Sequence, residues 1–229
     1  MKSVYKIAES AKFRKYVPFI FLVVLLSLTV FSWLLFHNNK VEEERKIYEE
    51  HTNRIVIEVS KRLHHYMMVL QGGAALFAVS EEVTRDEWRI YCEYLQVSTL
   101  FPGIQGIGFS RVVLPSELAQ HIQGIRAEGY PDYTLWPTGE RDVYTAITFL
   151  EPFDTRNQRA FGYDMFSDPV RRTAMERARD SGAISISGKV MLVQETDKDV
   201  QAGFLMYVPI YAKGMPFKTI EERRAALIG

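Results

Sequence analysis

The chain has 229 residues, enough for one moderate domain with additional segments. Its 28 Lys and Arg are balanced by 28 Asp and Glu, so it has no overall basic field to draw nucleic acid and no acidic tail. The apolar share of 47% is ordinary for a globular protein but unevenly placed.

From Val17 to Phe36 no residue carries a charge, and Ile20, Leu22, Val23, Val24, Leu25, Leu26, Val30 and Leu34 make the run strongly apolar. A helix of that length rises about 30 Å, the hydrocarbon thickness of a bilayer, so residues 17–36 are expected to span a membrane. A cleaved signal peptide has a shorter apolar region ending in a small-x-small site; Trp33-Leu34-Leu35-Phe36-His37 offers none. Pro18 falls in the first turn of this span, where a missing amide donor is harmless, and Trp33 sits near the far interface. Lys2, Lys6, Lys12, Arg14 and Lys15 precede the span, against Glu9, while Glu42, Glu43, Glu44, Glu49 and Glu50 follow it. The positive-inside bias then makes residues 1–16 a cytoplasmic stub and leaves the bulk of the chain outside, on a cell inner (cytoplasmic) membrane.

Residues 38–80 are expected to form a stalk helix. Val41, Tyr48, Ile55, Val59, Leu63, Tyr66, Leu70, Gly73 and Phe77 recur first at heptad spacing and then by fours and threes, the stripe of a helix pairing along one seam. Such a seam serves a homodimer or packs on the chain's own domain, and Arg45, His51 and Thr52 weaken its membrane-proximal half. Adjacent His64-His65 lack the i, i+4 spacing that brings two imidazoles to one metal, so no metal site is assigned. Cys92, the single cysteine, has no partner for an intrachain disulfide and reads as a small buried apolar residue.

A second helix begins at Thr84-Arg85-Asp86-Glu87, a capping box, and buries Trp88, Tyr91, Cys92 and Leu95 before stopping at Pro102-Gly103. Strand patterns follow at Ile104–Val113 and Val143–Leu150, with a helix around Ser116–Glu128 between them. Asp168-Pro169 opens another helix that ends at Gly182. Two more strands are predicted at Ile184–Gln194 and Ala202–Ala212, joined by the turn Thr196-Asp197-Lys198-Asp199, and Glu221–Gly229 reads as a strand just entered. Interleaved helices and antiparallel strands give an α+β domain over 81–229, expected to be C-terminally incomplete.

Pro102-Gly103-Ile104-Gln105-Gly106-Ile107-Gly108-Phe109 resembles the opening strand of CHASE domains. Gly162-Tyr163-Asp164-Met165-Phe166-Ser167, followed by Arg172, Arg177-Ala178-Arg179 and Gly182, resembles that family's central motif. The resemblance implies PAS-like subdomains behind a long N-terminal helix, dimerisation through that helix, and a place outside the membrane on sensor histidine kinases, diguanylate cyclases or adenylyl cyclases. It puts Asp164 at the family's ligand-binding aspartate, with Tyr163 and Met165 beside it, Ile186 at a backbone contact and Ser187 at a small polar pocket position. Asp164 is equally readable as a turn cap or a partner of Arg172. Met206, with Phe204 and Tyr207, is either core or ligand cradle. Bulky Phe161, Tyr163 and Phe166 depart from the plant cytokinin-receptor pattern, which points to a small apolar or aromatic compound with a donor group.

The expected function is therefore sensing of a small molecule, passed through stalk and membrane helices to an output domain outside this chain. The alternative is a membrane-anchored adaptor that recruits a protein. No G-x-S-x-G, H-E-x-x-H or paired-cysteine motif supports an enzyme, and no catalytic residue or cofactor is assigned.

Overall fold

A computed structural model describes residues 2–194 and 202–229. The chain divides into two units, Met1–Lys61 and Arg62–Gly229. The first is part of α1, which runs Lys2–Val79. Every described side chain from Tyr16 to Lys61 is exposed, and α1 contains a stretch near the N-terminus long and apolar enough to cross a membrane. A helix can do so because all its backbone polar groups bond internally. The helix starts at Lys2 and not at the span, so Pro18 lies inside it. Ala8, Glu9, Ala11 and Lys12 are good helix formers that carry the turns ahead of the proline. Tyr48, Ile55 and Val59 of the seam are exposed in this unit.

In the second unit the seam is used internally. Val69 is buried, and Leu70, Ala74, Leu76 and Phe77 pack with it around Trp88, Ile107, Phe109 and Phe149. Gly72 and Gly73 let α2 (Arg85–Tyr94) approach closely: a Cβ on Gly73 would stand 3.1 Å from the Trp88 ring, and one on Gly72 2.6 Å from the Tyr91 hydroxyl. That hydroxyl donates to the Val69 carbonyl at 2.6 Å. The predicted capping box forms, with Thr84 Oγ1 accepting from Glu87 N–H and the Glu87 carboxylate accepting from Thr84 N–H. Cys92 is buried, and burial pushes its thiol up to about 12, as for a core thiol.

After the short α3 (Val97–Leu100) and the Pro102-Gly103 turn, β1 (Ile107–Val113) pairs antiparallel with β2 (Tyr144–Glu151) from Ile107↔Glu151 to Val113↔Tyr144. Strand pairing begins later than Ile104, whose N–H is spent on the Phe101 carbonyl in the turn. The register slips between Phe109 and Ser110, which leaves Thr148 unpaired in the ladder; its carbonyl accepts from Arg85 Nη1 at 2.7 Å instead. A 3-10 turn at Pro115–Glu117 and α4 (Leu118–Ala127) lie between the strands. β2 is buried on both faces, Phe149 toward α1 and α2, Ile147 and Leu150 toward Tyr163 and Met165.

α5 (Pro169–Ser181) is capped by Asp168 and ends at Gly182 in the left-handed conformation, as the sequence predicts. The two long strands predicted beyond it are instead four short ones: β3 (Ser185–Ile186), β4 (Val190–Met191), β5 (Ala202–Gly203) and β6 (Met206–Tyr207). β3 pairs with β6 and β4 with β5, both antiparallel. Gly188 lies in the break between β3 and β4, Phe204 and Leu205 fill the break between β5 and β6, and Pro209, which lacks a donor, follows β6. The predicted turn at Thr196-Asp197-Lys198-Asp199 lies outside the described residues. Most of Glu221–Gly229 is also not a strand: α6 (Ile220–Ala226) forms because Thr219 and Glu222 make a second capping box. The backbone pairs from the end of α6 onward, Ala212 N–H donating to Ala226 O at 2.7 Å, Ile210 N–H to Gly229 O at 2.8 Å and Ile228 N–H to Ile210 O at 2.9 Å. Helices interleaved with small antiparallel sheets make the fold α+β.

Candidate functional site

Residues 162–164 are threaded between β2 and the 134–136 segment by backbone bonds. Gly162 N–H donates to Ile147 O, Trp136 N–H to Gly162 O and Ile147 N–H to Tyr163 O, each at 3.0 Å, and Asp164 N–H donates to Trp136 O at 2.7 Å. Gly162 has φ +76, and a Cβ there would collide with the Thr134 carbonyl, so only glycine fits. This threading buries Asp164 completely, at 0% exposure. Its Oδ1 accepts from Thr145 N–H at 2.8 Å, Thr145 Oγ1 at 3.1 Å and Phe166 N–H at 3.1 Å, the last being the cap of the 3-10 turn Met165–Ser167. Its Oδ2 lies 3.2 Å from Arg141 Nε, at ion-pair distance but out of hydrogen-bond alignment. The cap reading of Asp164 thus has its geometry, while the arginine beside it is Arg141 and not Arg172. Arg172 Nε donates to the Phe166 carbonyl at 3.0 Å.

Next to this segment lies a cavity of about 170 Å³. Ile147 and Leu150 from β2, Met165, Met175 from α5, and Leu205 and Met206 form much of its apolar wall, and Arg171 and Tyr207 bring it polarity. Arg171 stands in the first turn of α5 and is 3% exposed. Its Nη2 donates to the Met191 carbonyl at 2.9 Å, its Nη1 reaches Met165 Sδ at 3.4 Å, and its Nε has no partner among the described residues. The guanidinium lies 4.9 Å from the centre of the Tyr163 ring. No carboxylate among the described residues forms an ion pair with it. A buried charge in that condition costs several kcal/mol. Among the described residues the buried Tyr207 hydroxyl is likewise unpartnered, as is that of Ser185 across the β3–β6 pair. Burial pushes the Tyr207 phenol up, which keeps it a neutral O–H donor.

The residues singled out from sequence are distributed around this cavity. Met165 and Met206 line it. Tyr163 is 8% exposed, under the Arg171 guanidinium and edge-on to Trp136 at 4.7 Å between ring centres. Asp164 stands behind the wall through Thr145 and Phe166, both lining residues. Ile186 is 38% exposed and pairs with Met206. Ser187 is buried, its hydroxyl donating to Gly188 O at 2.7 Å and accepting from Leu205 N–H at 2.9 Å. The sequence motifs do not single out Arg171 or Arg141, and they leave Tyr207 open between core and ligand cradle. For Arg171 a signal exists: with Ala174 and Ala178 it falls at i, i+3 and i+7, and all three are buried.

The sequence model of the CHASE domain matches residues 81–229. Over 97 residues the chain is 29% identical to the protein named Hybrid signal transduction histidine kinase A of Dictyostelium discoideum; the match covers 41% of this chain and 4% of that protein. The chain thus spans a small fraction of the length of that relative. CHASE is a sensor domain of signalling receptors and not a catalytic one, and here it is accompanied by a helix apolar enough to span a membrane. From the glycine-threaded central segment to the match over 81–229, sequence and structure agree that the chain belongs to the CHASE domain family.

Proposed function

We propose that this chain senses a small molecule outside the cell membrane for a longer transmembrane signalling receptor. The observation that carries the reading is the cavity in which Arg171 and Tyr207 present buried donors that the described protein leaves without partners. Concave, mostly apolar cavities with a few convergent polar groups are where small molecules bind. In this reading Met165 and Met206 touch the ligand, Tyr163 holds Arg171 in place, Asp164 fixes the wall, and Ile186 and Ser187 seat β3 against the strand carrying Met206 and Tyr207. The basic flank keeps the N-terminus in the cytoplasm, the sensor domain faces outward from the inner membrane, and the exposed Tyr48, Ile55 and Val59 pair two copies along their stalks. A ligand that favours one packing of the stalk helices biases an output domain beyond them, a histidine kinase or a diguanylate cyclase. The histidine kinase named among its relatives supports the former.

The test is thermal melting of the whole chain in lipid nanodiscs against purines, aromatic acids and small metabolites, beside a Met206→Trp variant that fills the cavity. A compound that raises the melting temperature of the wild type and not of the filled variant supports the reading. A folded dimer stabilised by none of them turns the reading over in favour of a membrane-anchored adaptor.

A further inference from the structure

We infer that the cavity takes a small monocarboxylate, its carboxylate gripped by Arg171 and Tyr207 and its hydrocarbon body by the surrounding methionine and aliphatic wall. This rests on the cavity being a ligand site, as proposed above, and goes further by fixing the ligand's charge and size.

The polar groups that reach the cavity without partners are donors. A guanidinium carries five N–H groups and no acceptor. One of those on Arg171 meets the Met191 carbonyl, one meets only a thioether, and Nε–H meets no acceptor among the described residues. Tyr207 adds a phenolic O–H with no hydrogen-bond partner among the described residues. The carboxylates close by in sequence are already engaged. Asp164 is held by Thr145, Phe166 and Arg141, and Asp168 accepts from the backbone N–H of Arg171 itself while capping α5. A cationic ligand would add charge to a buried cation, and a neutral one would leave that cation without a counter-ion. A carboxylate supplies the counter-charge, and its two oxygens match the planar fork of a guanidinium.

Size narrows the class further. A cavity of about 150 Å³ lined by apolar side chains holds benzene, and this one is about 170 Å³. The body that fits is one six-membered ring or a short branched chain, which leaves out nucleotides and long fatty acids. The wall of Ile147, Leu150, Met165, Met175 and Leu205 is apolar, and the polar side chains of Ser110, Thr145 and Gln194 that also line the cavity donate to the Thr145 carbonyl, Asp164 and Asn157 respectively, so sugar acids are disfavoured as well.

Titration calorimetry of the whole chain in nanodiscs tests the inference with benzoate and 4-methylpentanoate, the neutral benzamide and the cationic benzylamine. At least one of the two acids binds about tenfold or more tighter than benzamide, and benzylamine does not bind. Arg171→Lys keeps the charge but loses the fork and weakens the acid about tenfold; Tyr207→Phe, which removes one oxygen and leaves the packing intact, weakens it to a similar degree. Equal affinity for benzamide, acid binding unchanged in both variants, or no acid binding to a folded chain each overturns the inference. A neutral or cationic compound that binds the wild type and is lost in Met206→Trp leaves the sensor reading standing and removes the carboxylate. Binding of nothing at all removes both.

Discussion

Two buried charges lie within the same domain, one on each side of Met165, and the protein treats them differently. Asp164 is at 0% exposure with three donors on one oxygen and Arg141 beside the other, so its charge is spent on holding residues 162–166 against β2. Arg171 is at 3% exposure with one good acceptor, a thioether and an aromatic face. Burial alone therefore does not mark a binding residue. What separates the two is whether the fold completes the partners of the charge, because a completed charge works for stability and an incomplete one is available to something else.

The largest expected effect tests the completed side. Asp164→Ala removes the counter-charge beside Arg141 and the acceptor of the Thr145 N–H and hydroxyl, and it should cost about 3–5 kcal/mol in denaturant unfolding. A variant as stable as the wild type would remove the distinction. Arg171→Met is the converse: removing a buried charge that lacks a counter-ion should leave stability unchanged or raise it by about 1–2 kcal/mol. A loss of more than about 3 kcal/mol would make Arg171 part of the scaffold.

Two further titratable groups extend the comparison. His121 is half-buried, its Nε2 2.9 Å from the Tyr133 hydroxyl; burial and then Arg111 push its pKa down to about 4, with Glu128 opposing. The unfolded chain, with a histidine pKa of about 6.5, takes up this proton first. The contribution of His121 is therefore complete above pH about 6.5 and declines as pH falls toward about 4, by on the order of 1 kcal/mol given its partial exposure. Urea midpoints at pH 7 and pH 5 should differ less in His121→Gln than in the wild type. Asp180 gives the smallest effect. Hydrogen bonds from Arg224 and then Arg179 hold its carboxyl well below the usual range, and Arg223 donates to its backbone carbonyl at 2.7 Å, joining α5 to α6. Its contribution is present above the ordinary carboxylate pKa and lost as pH falls through the depressed one. Because the pair is partly exposed at the surface, with Arg224 mostly in solvent, Asp180→Asn should cost less than about 1 kcal/mol, and less still in high salt.

Features set by local chemistry were legible from sequence. The apolar run, the Thr84–Glu87 box and the Asp168-Pro169 to Gly182 helix need only neighbours within a turn or two, and each appears where expected. The region after residue 184 was not, because alternation along 202–212 cannot reveal that the pairing is broken at Gly188 on one side and at Phe204-Leu205 on the other into two-residue pieces. α6 was missed although its Thr219–Glu222 box obeys the same rule as Thr84–Glu87. At the site, the family motif led to Asp164 and to Met165 beside it. Arg141 reaches Asp164 from a loop more than twenty residues away in sequence, a partnership that no spacing rule carries. Arg171 was legible through its alanine stripe, but a charged residue on a helix is ordinarily assigned to the solvent side.

Trp88 gives the cavity an optical consequence. Its indole is 3% exposed, donates to the Ile107 carbonyl at 3.3 Å, touches the rings of Phe77, Tyr91 and Phe149, and forms part of the cavity lining. The other two tryptophans are Trp33 in the apolar stretch of α1 and Trp136 against Tyr163. With both replaced by phenylalanine, the protein carries one intrinsic fluorophore at the border of the cavity, and filling or emptying that space becomes visible as a change in its emission without any added label.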